Sequence, residues 1–122
     1  MTPQELLETY DKAALVIKSF YFEKFMNSIT TNDLPENFKE FAKEQGVDND
    51  TIAIMIASSP SSLFEVFDEH KVYIEITVVV GENTFFIYHV NGVVNDKPPY
   101  YVRKEAELAA IEKAFQVLND KL

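Results

Sequence analysis

Cysteine and tryptophan are absent from this 122-residue chain, glycine occurs three times and histidine twice. Without cysteine there is no disulfide staple, no thiol nucleophile and no cysteine-ligated zinc or iron–sulfur centre. The same absence fits a reducing compartment. The glycines, Gly46, Gly81 and Gly92, are too scattered for a phosphate-cradling loop. Positive charge is also scarce, with 11 Lys and Arg against 20 Asp and Glu and a net charge of −9. A field of that sign repels phosphate backbones and anionic membranes and favours a basic partner. No uncharged apolar run approaches the ~18 residues of a membrane span. The opening Met1-Thr2-Pro3-Gln4-Glu5 lacks the basic stretch and apolar run of a signal peptide. We therefore expect a cytoplasmic protein that does not engage a membrane.

What is present suits one folded core. Hydrophobic residues make up 47% of the chain and aromatics 13%, ten Phe and six Tyr among them, so large side chains supply the burial that a small domain needs. We expect a single domain over 1–122, with a helical part over 1–57 and an α-β-β-β-α part over 58–122. Thr2, Pro3 and Glu5 form a capping-box start. From there to about Ile29 no helix breaker appears, and Leu6, Tyr10, Ala13, Ile17 and Phe20 recur at helical spacing. Leu15, Val16, Phe22 and Met26 lie off that stripe, so the helix is apolar around much of its circumference and is buried on several sides or meets a partner; burial within the chain is the expectation. A second helix is expected from a cap at Asp33 to Gly46, with Leu34, Phe38, Phe41 and Ala42 inward. Its outward carboxylates Glu36, Glu40 and Glu44 belong to the chain's densest acidic segment, six acids against two lysines between Asp33 and Asp50. Asp48 caps a third helix containing Ile52, Ile54, Met55 and Ile56. Ser59, with Pro60 at the first helical position, caps a fourth.

After His70 the period changes from helical to alternating. Val72, Ile74, Ile76, Val78 and Val80 share one face of a strand, and Tyr73, Glu75, Thr77 and Val79 share the other. The three-residue turn Gly81-Glu82-Asn83 folds this strand onto Thr84–Val90, where Phe86, Tyr88 and Val90 oppose Phe85, Ile87 and His89. Asn91-Gly92 is a turn signal. Pro98-Pro99 then restricts Tyr100-Tyr101-Val102 to a short edge strand. The last helix runs from about Arg103 to Asn119, with Ala106, Ala110, Ala114 and Val117 on a line that lets it lie close to a sheet. The fold expected is α+β, a three-stranded antiparallel sheet packed by the C-terminal helix, with the N-terminal helices completing the core.

Residues 59–118 resemble the double-stranded-RNA-binding domain. The likeness rests on the α-β-β-β-α order, Pro60 with Ser62-Leu63, Val90-Asn91-Gly92, and Lys104-Glu105-Ala106 followed by Ala109-Ala110, Ala114 and Leu118. It implies that basic residues at the start of the last helix contact duplex RNA, positions that Arg103 and Lys104 occupy. Glu107 departs from the pattern, standing where the family carries another lysine. The turn at Gly81 also has no room for the family's histidine-bearing loop. A looser likeness, carried by an aromatic strand followed by Arg103-Lys104-Glu105-Ala106, is to small uncharacterised proteins of gut bacteria and their phages, and implies no activity.

Candidate sites follow from these elements. His70 and His89 lie apart, and three consecutive side chains at Asp68-Glu69-His70 do not converge on a metal ion at a helix end. The serines around Ser59 are turn and cap residues without a histidine–acid partner. Neither enzyme chemistry nor a cofactor is expected. The function expected is non-catalytic protein–protein interaction, as in a small acidic phage-type inhibitor or accessory protein. The partner-binding candidates are Glu36, Glu40 and Glu44 on the acidic helix, and Tyr73, Phe85, His89 and Tyr101 in an aromatic group that also includes Ile87 and Tyr100. We expect the N-terminal helices to cover that aromatic face; an uncovered one would be a binding surface. The alternative is a nucleic-acid-binding module, which requires Lys71, Arg103 and Lys104 to form one basic patch.

Overall fold

The capping box at Thr2 forms as its sequence implies. The Glu5 N–H donates to Thr2 Oγ1 at 3.2 Å and the Thr2 N–H to Glu5 Oε1 at 3.3 Å. These bonds hold the Glu5 carboxyl below its usual range. The computed structural model describes residues 1–28, 48–95 and 99–122. The expected helix capped at Asp33, with its inward Phe38 and Phe41 and its outward Glu36, Glu40 and Glu44, lies outside the described residues, as does Gly46.

The first helix is shorter than expected. α1 (Pro3–Thr9) stops at Tyr10, whose backbone leaves the helical region, and α2 (Asp11–Ser28) starts afresh. No glycine or proline marks the break. Part of its cause is distant in sequence, since the Ala13 N–H at the start of α2 donates to Asn119 Oδ1 at 3.2 Å. The bend allows Leu6 and Leu7 of α1 and Ala13, Ala14 and Ile17 of α2 all to reach the core. The two segments meet different neighbours, α1 packing on α3 and α2 on α5.

α3 (Asn49–Ser58) begins where Asp48 accepts the Thr51 N–H at 2.8 Å. That bond holds the Asp48 carboxyl below its usual range. Ile52 and Ile56, one turn apart, are buried, whereas Ile54 on the opposite side is exposed. Ser59 does not cap the next element with its side chain. Its carbonyl instead accepts both the Ser62 N–H at 3.0 Å and the Ser62 hydroxyl at 2.7 Å, closing a 3-10 turn over Pro60–Leu63 before α4 (Phe64–Glu69). α4 ends on Lys121, whose ammonium donates to the His70 and Lys71 carbonyls at 3.3 and 3.1 Å. A cation suits the negative end of a helix dipole.

The sheet is antiparallel in the order β1 (Ile74–Val79), β2 (Phe85–Val90), β3 (Val93–Val94). Its register pairs Ile74 with Val90 through to Val79 with Phe85, centred on the turn at Glu82. The alternation implied this register, although pairing stops one residue short of the expected three-residue turn. Asn91 and Gly92 have φ of 51° and 80° and join β2 to β3 as a two-residue reversal, the left-handed geometry that Asn-Gly adopts most readily. The third strand is therefore Val93–Val94, and Tyr100-Tyr101-Val102 is not a strand. Tyr100 alone bridges Phe86, through N–H···O bonds of 2.6 and 2.9 Å.

α5 (Arg103–Lys121) packs on β2 and β1 through Ala106, Ala110 and Ala114, all fully buried, with Ile111, Phe115 and Leu118 beside them. The Phe67 and Phe115 rings meet edge-on at 5.5 Å. α2 also packs on α5, and α1 packs on α3, so N-terminal and C-terminal residues share one core. The fold is α+β, as expected. No described helix is long and apolar enough to cross a membrane.

Candidate partner-binding surface

The register of the hairpin sorts its side chains into two faces. On the face under α5, Ile74 pairs with Val90, Ile76 with Tyr88 and Val78 with Phe86. Tyr88 and Val90 belong to the core, and Ile74, Ile76 and Tyr100 pack against it. On the opposite face Glu75 pairs with His89, Thr77 with Ile87, Val79 with Phe85, and His89 in turn with Val94. None of these residues belongs to the core.

Of the N-terminal helices expected to cover this outer face, the one from Asp33 to Gly46 lies outside the described residues, and α1 and α2 pack on α3 and α5. The bend at Tyr10 divides this segment between two neighbours, α1 on α3 and α2 on α5. Tyr73 is 57% exposed and Val94 49%, and Val79 is exposed too. Phe85, Ile87 and His89 are half-buried, as expected for a central strand flanked by neighbours on both sides. The Nδ1 atom of His89 is buried without a hydrogen-bond partner. Tyr73, Phe85 and His89 thus share one face. Tyr101 is 68% exposed. Tyr100 belongs to the other side, its ring 6.3 Å from that of Tyr88.

The basic candidates do not come together. Arg103 Nε lies 3.4 Å from Glu107, one turn along α5, so the residue that departs from the RNA-binding pattern also neutralises its neighbour. Lys104 is exposed beside it. Lys71 sits at the other end of α5, where Lys121 contacts its carbonyl. At a rise of ~1.5 Å per residue, the 17 residues from Lys104 to Lys121 span about 26 Å.

Two shallow clefts escaped sequence reasoning because each joins elements distant in the chain. One, of about 350 Å³, lies between Leu15, Val16, Ser19, Phe20 and Glu23 of α2 and Glu69-His70 at the end of α4. Leu15 is 63% exposed at its edge, so this side of α2 is not buried as its apolar circumference implied. Beyond the cleft Lys24 pairs with Glu65 at 2.7 Å, which raises the lysine above its usual range. Burial raises Tyr21, whose hydroxyl donates to the Ser62 carbonyl at 2.7 Å. The other cleft, of about 310 Å³, is lined by Pro3, Leu6, Ile56, Leu108, Ala109 and Glu112 among others. Among the described residues no cluster of three His, Asp or Glu is placed to hold a metal ion. Comparison of the chain with family models, with curated proteins and with solved structures found no match.

Proposed function

We propose that this chain is a non-catalytic protein-interaction module whose partner docks on the outer face of the sheet. The observation that supports this reading is an aromatic and β-branched face, centred on Phe85 and Ile87, over which neither α1 nor α2 packs. Apolar surface gathered on one face gains free energy when a partner removes it from water. The net charge of −9 supports a basic partner, since complementary fields speed association and suppress wrong pairings. An acidic module with such a face would act by occupying the surface of a basic or nucleic-acid-binding protein, the mode of a small phage-type inhibitor or accessory protein. The reading as a nucleic-acid-binding module has less support, because Arg103 faces Glu107 and Lys71 stands at the far end of α5.

The test compares affinity capture by the wild-type chain, by Tyr73→Ser with Phe85→Ser, and by Arg103→Glu with Lys104→Glu, each checked for folding by circular dichroism. The reading expects a partner retained by the charge-reversed variant and lost by the face variant. A partner retained by the face variant and lost by charge reversal would overturn it.

A further inference from the structure

β1 is an edge strand, with β2 on one side and no strand on the other among the described residues. Its hydrogen-bonding parity can be read from Tyr73 and Asn91, just beyond the ladder. The Asn91 N–H donates to the Tyr73 carbonyl at 2.8 Å, and the Tyr73 N–H donates to Asn91 Oδ1 at 2.7 Å. In an antiparallel pair such residues alternate. Glu75, Thr77 and Val79 therefore spend their backbone groups on β2, and Ile74, Ile76 and Val78 direct theirs to the open edge. The parity of β2 agrees, since Phe86 and Tyr88 bond away from β1, to Tyr100 and Asn95.

The residues of β1 themselves carry none of the usual guards. Between Ile74 and Val79 there is no proline, no lysine and no bulge, and the single charge, Glu75, lies on the outer face. Natural sheets use such devices to keep an edge from accepting another strand. Exposure also points outward from β2. Val90 and Tyr88 are 3% and 9% exposed, whereas Ile74 and Ile76 opposite them are only half-buried and Val78 is 44% exposed.

We propose that the open edge of β1 pairs antiparallel with β1 of a second copy of this chain, Ile76 opposite Ile76 across a two-fold axis. That register uses all three outward-pointing residues, Ile74 against Val78 and Ile76 against its own copy. It also resolves the charge. Glu75 of each copy faces Thr77 of the other, whereas a shift that centres the axis on Glu75 places two carboxylates face to face, and like charges directly opposite repel. Tyr73 then meets Val79, an aromatic–β-branched pair of the kind that stabilises strand pairing. The two sheets become one of six strands with both outer faces on the same side. Because each copy carries −9, the pairing tightens as salt screens the repulsion.

The register supplies its own test. Sedimentation equilibrium over a concentration and salt series is run on the wild type, Thr77→Lys and Thr77→Glu. A lysine at 77 faces Glu75 of the second copy and a glutamate repels it, twice per dimer. The dissociation constant is therefore expected to fall with lysine and rise with glutamate, each by roughly two- to thirty-fold. Adding Glu75→Lys to Thr77→Glu restores the pairing. In the wild type, concentrating the sample slows hydrogen exchange at the Ile74, Ile76 and Val78 amides and leaves Glu75 and Thr77 unaffected, a readout that needs no variant to fold. A monomer throughout, Thr77 variants that shift in the same direction, or protection of the odd-numbered amides alone would each overturn the proposal.

Discussion

At the scale of single residues, asparagine completes what the strands leave unfinished. Asn91 adopts a φ of 51° and offers its side-chain oxygen to the Tyr73 N–H. Asn95 extends β3 in a similar way, accepting the Tyr88 N–H at 3.0 Å on Oδ1 and returning its own N–H to the Tyr88 carbonyl at 3.0 Å. The two contributions of Asn91 are separable. Asn91→Gly removes the acceptor and keeps the left-handed backbone, and should cost about 0.5–1.5 kcal/mol. Asn91→Ala removes the acceptor and also the short polar side chain that lets asparagine hold a left-handed backbone, and should cost about 1–2 kcal/mol more than the glycine variant. Urea denaturation midpoints measure both. Equal losses for the two variants would show that the reversal at Asn91 does not hold the left-handed geometry in solution.

At the scale of elements, the parts readable in the sequence are those whose causes are local. Thr2 and Asp48 cap helices through bonds to residues three positions away. The register of β1 on β2 follows from alternation, because a slip by one residue would turn Ile74 and Ile76 away from α5. The small-residue line of α5 is also local in its spacing. Ala110 is fully buried at the helix–sheet contact, so Ala110→Leu should overpack it and lower stability by about 1–3 kcal/mol, read as a drop in the denaturation midpoint. An unchanged midpoint would mean that the helix rotates to accommodate the added atoms. The elements that were misread have distant or minimal causes. The break at Tyr10 is followed by a bond from Ala13 to Asn119, 106 positions further on. β3 is two residues long, too short to show a period, while the Tyr100 segment has strand-like composition and makes a single bridge.

At the scale of the whole molecule, the candidate surface was half legible. Alternation places Tyr73, Phe85 and His89 on one face, but whether helices cover that face depends on where α1 and α2 dock, which no local pattern encodes. The basic patch needed for duplex RNA was likewise undecidable until Lys71 and Lys104 were placed at opposite ends of α5. With Arg103 held beside Glu107 and a net charge of −9, we expect no saturable binding of duplex RNA at physiological salt, measured by fluorescence anisotropy. Even non-specific binders reach roughly 10⁻⁴–10⁻⁶ M on DNA under such conditions. Tight, salt-sensitive binding that vanishes on charge reversal at Arg103 and Lys104 would make nucleic acid the better reading.

The bond from Ala13 to Asn119 bears on how the chain is made. Translation delivers α1 and α2 first and α5 last. Until α5 has left the ribosome, Ala13 has no acceptor from Asn119, and Ala14 and Ile17 lack the layer formed by Ile111, Phe115 and Leu118. The early helices therefore pass through synthesis with apolar faces uncovered, the condition in which nascent chains aggregate or engage chaperones. A transcript that stops within α5 would yield a product missing the layer on which α2 and the sheet pack.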